Sequence, residues 1–324
     1  LIAHQLIFST RAILKRVIDR YRNYRPYIST PEPRTSNHRG ILFLIVTLLF
    51  LFVVPTLLRK LHHEDPKNTA LASAKSQPKP VITAEPISQT TWEELNRQLT
   101  AAIQAHPELD IAVSVIDINA NTKGNYGVQD NFSGASTTKV LTATAFLHQV
   151  ETGKESLNSS INGMSAKTQL KQMIKQSNNE SWDALNSELS YAVIESYAKS
   201  IGISSYNHVN NVITAGDEAL LLEKLYNGTL LNKQNQALLL SYMQQTNNED
   251  MIPKIAPDGA QVFHKYGQLD ARLHDAAIIE YRNHPIVLVI YTKGQADANG
   301  SEYNTRVQVI QSLAQIVFGI VYKD

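Results

Sequence analysis

FSGASTTKVLTATAFLHQVETGKESL, residues 132–157, is the stretch from which the rest of the chain is read. At its head stand Ser136 and Lys139, three positions apart. If a helix begins at Ser136, Lys139 lies one turn later on the same face, within reach of the hydroxyl. A buried lysine with a lowered pKa can take the serine's proton, and a helix N-terminus favours the negative charge that develops. The same spacing also arises where a serine caps a helix and the lysine faces water. The pair therefore takes its meaning from the residues downstream of it.

Forty-one residues on stands Ser177-Asn178-Asn179, inside LKQMIKQSNNESWDALNSELS (170–190). Near the C-terminus stands Lys265-Tyr266-Gly267, in a segment that reads as a strand followed by two more. Each could be structural, the first as an inter-helix turn and the second as an edge strand ending in a turn. The three in this order, Ser-x-x-Lys, Ser-Asp/Asn-Asn and Lys-x-Gly, resemble the motif set of class A β-lactamases and penicillin-binding proteins. The resemblance runs from about Trp92 to the C-terminal helix.

The resemblance implies a role for each position. Ser136 attacks a carbonyl and forms an acyl-enzyme, with Lys139 as proton acceptor or relay. Ser177 carries the proton toward the leaving nitrogen, and Asn179 orients the substrate amide. Lys265 supplies positive charge for a substrate carboxylate. The backbone N–H groups of Ser136 and of Gln268, the residue after Gly267, form an oxyanion hole, where each donor is worth about 3–4 kcal/mol in the transition state. Three departures stand against the pattern. Asn178 occupies a position that is usually Asp, and Tyr266 one that is Ser or Thr. The loop Glu-x-x-Leu-Asn that activates the deacylating water in class A β-lactamases has no counterpart between Ser177 and Lys265. SYNHVNNVITAGDEALLLEKLYNG (205–228) runs almost directly from one helix to the next. Its carboxylates Asp217 and Glu218 follow Thr214 in a first helical turn, where the helix dipole accounts for them.

The periodicity of the surrounding sequence gives the fold. TWEELNRQLTAAIQAH (91–106) opens with a Thr91-x-x-Glu94 capping box and continues with a helical apolar stripe. DIAVSVIDIN (110–119) alternates as a strand, and NTKGNYG (121–127) is a turn into a second. A helix-rich block follows over about 136–245. VFHKYGQ (262–268), DAAIIEY (275–281) and PIVLVIYT (285–292) are three further strands, and TRVQVIQSLAQIVFGIV (305–321) is a closing helix. This order predicts an α+β fold: an antiparallel sheet flanked by helices, with a helical subdomain.

Before this domain (91–324) the composition changes three times. Residues 1–40 carry eight Lys or Arg against two acids and read as a basic cytoplasmic tail. Ile41–Leu58 is uncharged over eighteen residues, about the minimum for a helix crossing a roughly 30 Å hydrocarbon core. Basic flanks, heavier on the N-terminal side, predict a retained signal-anchor with the N-terminus inside. Residues 59–90, rich in Pro, Lys, Ser and Thr, read as a linker. The expected location is a single-pass cytoplasmic-membrane protein with its domain outside.

With the tail set aside, the body of a chain of formal net charge +1 is slightly acidic, which argues against nucleic acid as a partner. There is no cysteine, so disulfides and thiolate chemistry are excluded. His106, His148, His208, His264, His274 and His284 share no ligand spacing, and no cofactor or metal is expected. The substrate implied is a β-lactam or a peptidoglycan-like amide. Three functions stay open: a β-lactamase-like hydrolase, a D-alanyl-D-alanine carboxypeptidase-like enzyme, and a non-catalytic module that keeps the fold.

Overall fold

The computed structural model describes residues 85–323. The basic tail, the apolar run Ile41–Leu58 and the linker up to residue 84 lie outside the described residues. Among the described residues no helix is long and apolar enough to cross a membrane.

Helix α1 (Gln89–Gln104) starts two residues before the expected capping box. Ser88, extended at ψ 161°, is its N-cap and accepts from the Thr91 N–H, so Thr91 is already helical. The chain joins the fold still earlier, because Ile87 is buried and its N–H donates to Asp117 Oδ2 at 2.7 Å.

Strands β1 (Asp110–Asp117) and β2 (Thr122–Gly127) form an antiparallel pair. Much later in the chain come β7 (Gln261–Leu269), β8 (Arg272–Glu280) and β9 (Ile286–Lys293). Together they make a five-stranded antiparallel sheet in the order β2-β1-β9-β8-β7, which leaves β7 at an edge. Between the two groups lie two short ribbons and a helical block. One ribbon pairs β3 (Phe132–Ser133) with β6 (Val212–Ile213), and the other pairs β4 (Ser160–Ile161) with β5 (Met164–Ser165). The helices are α2 (Lys139–Glu151), α3 (Ala166–Lys175), α4 (Asn179–Leu189), α5 (Tyr191–Ser200), α6 (Ala215–Tyr226) and α7 (Lys233–Tyr242). A short α8 (Ile252–Ile255) precedes β7, and α9 (Gly300–Val321) closes the domain.

The sheet is covered on both faces, which explains why β9 reads as an unbroken apolar run instead of alternating. Ile286, Leu288 and Ile290 of β9 join Ile111, Val113 and Val115 of β1 in a core with Leu95 and Leu99 of α1 and Val309, Ile310 and Leu313 of α9. Val287, Val289 and Tyr291 point the other way, into a larger core with α2, α3 and α6. Each fully buried aliphatic side chain contributes about 1.5–3 kcal/mol, so the two-sided β9 is the energetic spine of the domain. The helix-and-sheet division expected from periodicity is the observed one. The short ribbons and α8 carry too few residues to show a period.

Candidate active site

Ser136 stands where the sheet edge meets the helical block. Ser133, Gly134 and Ala135 lead to it from β3, and the turn is closed by three-residue hydrogen bonds: Thr137 N to Gly134 O (3.0 Å), Lys139 N to Ser136 O (3.4 Å) and Val140 N to Thr137 O (3.1 Å). The α-helix proper therefore begins at Lys139, not at Ser136. Lys139 still projects back over the serine, because a tighter turn brings residues three apart onto one face. Ala135 has φ +49°, a left-handed conformation unusual for a residue with a side chain. Gly134 is required by packing, since a Cβ there would lie 2.6 Å from Thr138 Cγ2.

Lys139 is fully buried and gathers the other motif residues. Its Nζ lies 3.0 Å from Ser136 Oγ, 2.7 Å from Ser177 O, 3.4 Å from Ser177 Oγ and 2.7 Å from Asn179 Oδ1. Ser177 occupies the corner between α3 and α4 at φ +53°, a left-handed residue of the kind that ends helices. Asn178 beside it caps α4, its Oδ1 accepting from Ser181 N at 2.6 Å. An aspartate would cap this turn equally well, so the departure from Asp keeps the cap and removes a charge. Asn179 uses its carbonyl for Lys139 and keeps its exposed side-chain NH2 for other partners.

Lys265, on β7, reaches the same hydroxyl from the other side. Its Nζ lies 2.9 Å from Ser177 Oγ and 2.8 Å from Tyr266 O. Tyr266 lays its ring 4.1 Å from that Nζ, measured to the ring centroid. A phenyl face in contact with the ammonium takes the place of the short hydroxyl expected at this position. His264, one residue earlier, points to the opposite face, where it bonds Asp275 Oδ1 at 2.9 Å and Glu249 Oε1 at 3.1 Å. Burial lowers its pKa, but the two carboxylates outweigh that and lift it to about 9.

Edge geometry aims the backbone of β7. The His264 N–H donates outward to Met243 O at 2.8 Å, away from β8. With a period of two, the Gln268 N–H also points out of the sheet edge. Gly267 packs so closely on the Ser136 turn that a Cβ there would meet Gly134 O at 3.0 Å and Ser136 N at 3.1 Å. Only Gly267 thus separates the N–H groups of Ser136 and Gln268. The end of β7 is fixed by Gln268 Nε2, which donates to Ala298 O at 2.5 Å.

Burial sets the charge states. It pulls Lys139 down to about 7, a shift that Asp183 opposes. It also pulls Lys265 well below the ordinary lysine value, reinforced by the charge of Lys139 and opposed by Asp275. Near neutrality Lys139 is therefore partly a free amine that can accept a proton from a hydroxyl 3.0 Å away.

All the residues singled out in the sequence are thus brought together: Ser136, Lys139, Ser177 and Asn179 around one nitrogen, and Lys265, Gly267 and Gln268 on the adjoining edge. Four further residues, to which the sequence assigned no role in this site, stand around it. Asp183, one turn after Asn179, is the carboxylate that acts on Lys139. Trp182 places its ring 5.3 Å from Lys139 Nζ and donates through Nε1 to Thr142 Oγ1 at 3.0 Å. His274 donates through Nε2 to Ser133 O at 2.9 Å while its Nδ1 accepts from Thr292 N, which fixes a neutral tautomer. Asn211 holds the Ser136 turn from the α5–β6 loop. None of these contacts leaves a trace in local periodicity.

The two carboxylates in the first turn of α6 take separate roles. Asp217 accepts from Ser205 N at 2.8 Å and from Ser205 Oγ at 2.7 Å. Glu218 does not serve the helix dipole as a charge. It is fully buried under the sheet, neither oxygen makes a hydrogen bond of normal geometry among the described residues, and burial, against the pull of the Tyr291 hydroxyl, lifts its pKa to about 8. Among the described residues no group of three or more His, Cys, Asp or Glu could hold a metal ion.

An antiparallel sheet with a helical block, joined at a Ser-x-x-Lys turn, a Ser-x-Asn corner and a Lys-x-Gly edge, defines a serine hydrolase fold of the β-lactamase type. The chain belongs to the β-lactamase enzyme family, whose profile matches residues 94–321. Solved structures of the same fold include PBP-A, at 19% identity and a TM-score of 0.66 over 75% of this chain and 99% of that one. An acyl-enzyme complex of a PBP-A mutant with penicillin G matches at 19% identity and a TM-score of 0.66 over 74% of this chain and 100% of that one. A mutant class A β-lactamase of the last common ancestor of Gram-negative bacteria matches at 21% identity and a TM-score of 0.64, over 71% of this chain and 99% of that one. At these identities the likeness is one of fold. No curated protein matches the chain.

Proposed function

We propose that this chain is a membrane-anchored hydrolase that forms an acyl-enzyme through Ser136, acting on a β-lactam or a peptidoglycan-like amide and deacylating slowly. The observation that carries the reading is the position of Lys139 Nζ, 3.0 Å from Ser136 Oγ and 3.4 Å from Ser177 Oγ. In this reading the neutral amine of Lys139 takes the Ser136 proton as Oγ attacks the carbonyl carbon. The oxyanion is received by the N–H groups of Ser136 and Gln268. The proton then passes through Ser177 to the leaving nitrogen as the C–N bond breaks, leaving the acyl group on Oγ. Asn179 offers its NH2 to the substrate amide. Lys265, depressed by burial, regains its charge when a substrate carboxylate arrives beside it.

The D-alanyl-D-alanine carboxypeptidase-like reading is favoured by one observation, the absence of a carboxylate hydrogen-bonded to Lys139 among the described residues. Labelling with a fluorescent penicillin tests the shared acylation step. Wild-type protein is expected to carry the label and Ser136→Ala to carry none, whereas an unlabelled wild type would favour a non-catalytic module. Anchoring rests on the sequence of residues 1–58. Protease added to spheroplasts is expected to digest residues 92–324, and their full protection would contradict an extracytoplasmic domain.

A further inference from the structure

Ser136 sits directly after a residue held in an unfavourable conformation, and one side chain from a distant loop accounts for how it is held. Ala135 at φ +49° is in the left-handed region, which disfavours any residue that carries a Cβ. Asn211, itself at φ +48°, grips the turn at three points. Its backbone carbonyl accepts from Gly134 N at 2.8 Å. Its Nδ2 donates to Ala135 O at 2.8 Å, and its Oδ1 accepts from Thr138 Oγ1 at 2.7 Å. The β3–β6 ribbon, in which Ser133 pairs with Val212, delivers Asn211 to this place.

The second of these bonds bears on chemistry. Ala135 O and the Ser136 N–H belong to one planar trans peptide, in which carbonyl and N–H point in opposite directions. A donor that fixes the carbonyl therefore fixes the direction of the N–H. The Ser136 nitrogen lies beside Gly267, where a Cβ would come within 3.1 Å of it. A hydrogen bond into the carbonyl also polarises the peptide and strengthens its N–H as a donor. The Thr138 hydroxyl supports the same peptide: its Oγ1 donates to Asn211 Oδ1 at 2.7 Å, which leaves Nδ2 for Ala135, and has a longer alternative contact to Ala135 O itself at 3.3 Å.

We propose that Asn211 is a positioning residue for the oxyanion hole: through the Ala135–Ser136 peptide it aims the Ser136 N–H at the oxygen that becomes charged during acylation. The inference rests on the reading of Ser136 as the acylated residue. Asn211 does not touch the substrate, and its effect falls on the acylation step and leaves substrate affinity alone.

The test compares Asn211→Gly, Thr138→Val and Thr138→Ser with wild type. Glycine accepts the positive φ and keeps the backbone acceptor for Gly134, so only the two side-chain bonds are lost. Acylation by a fluorescent penicillin is followed at increasing concentration, giving a limiting rate constant and a half-saturation concentration, and thermal unfolding is recorded beside it. Asn211→Gly is expected to lower the limiting rate by about 10–100-fold, less than the roughly 10²–10³-fold of deleting an oxyanion donor outright, with half-saturation changed by less than about threefold. Thr138→Val is expected to lose about 3–10-fold of the same rate constant, and Thr138→Ser, which keeps the hydroxyl, to recover it. If Asn211→Gly does not fold, the two Thr138 variants decide. A folded variant acylated at the wild-type limiting rate, or one altered only in half-saturation or melting temperature, overturns the inference. A wild type that takes no label overturns the reading beneath it instead.

Discussion

Lys139 Nζ lies 3.0 Å from Ser136 Oγ and is stripped of solvent, so the amine and the hydroxyl are already in hydrogen-bond contact. Burial brings that amine down to about 7, against the pull of Asp183. Only the neutral form can accept a proton. The acylation rate is therefore expected to rise with pH, tenfold per unit below about 7, and to level off above it. Lys139→Met should lose about 10²–10⁴-fold at all pH values. The limiting rate of acylation measured between about pH 5 and 8.5 checks this, and a flat profile in the wild type would contradict it.

Deacylation is expected to be slow. Among the described residues Lys139 meets Ser136, Ser177 and Asn179 but no carboxylate within hydrogen-bond distance. Asp217 is committed to Ser205, and Glu218 lies fully buried beneath the sheet. Without general-base assistance to water, turnover falls by about 10²–10⁴-fold. Purified residues 85–324 given a chromogenic cephalosporin should show a single burst and little afterwards. Rapid multiple turnover would refute this and would direct attention to Asp183, one helical turn beyond Asn179.

Glu218 predicts an inverted pH dependence of stability. Its pKa is raised from 4.5 to about 8 by burial, so the folded state keeps a proton that the unfolded state loses. Stability is then full below about pH 4.5 and falls as pH rises toward 8. At neutral pH the loss is of the order of 3 kcal/mol. Glu218→Gln, which has nearly the same shape and no charge, should raise the melting temperature at pH 7.5 and leave it nearly unchanged at pH 5. Equal shifts at both pH values would show that the carboxyl does not titrate in this range.

Much of the fold and site was legible in the sequence because it is encoded locally. Alternation identified β1 to within two residues, and the strand segments 262–268 and 285–292 fall within one residue of the ends of β7 and β9. The first two motifs close on Lys139 Nζ, and the third joins them at Ser177 Oγ. What could not be read depends on contacts between distant segments. Asn211 and Ala135 are 76 positions apart, and their bond depends on the β3–β6 ribbon, two residues long on each side. Asp183 looks like any surface acid on α4, and only the approach of Lys139 from α2 brings its charge to bear on that amine. Glu218 stood in a first helical turn, where a charge is usual, and only the packing of α6 on the sheet made it a buried acid. At α1 two capping residues competed, and Ser88 prevailed over Thr91 because the chain is extended there and anchored by Ile87 on Asp117.

The central claim is that Ser136 becomes acylated with help from Lys139. Intact-protein mass spectrometry after incubation with penicillin G tests it most directly. The wild type should gain the mass of one penicillin, localised to the peptide containing Ser136 and persisting after the free antibiotic is removed, while Ser136→Ala should gain nothing. An adduct of the same mass on Ser136→Ala, or no adduct on the wild type over the full range of concentration and pH, would contradict the account.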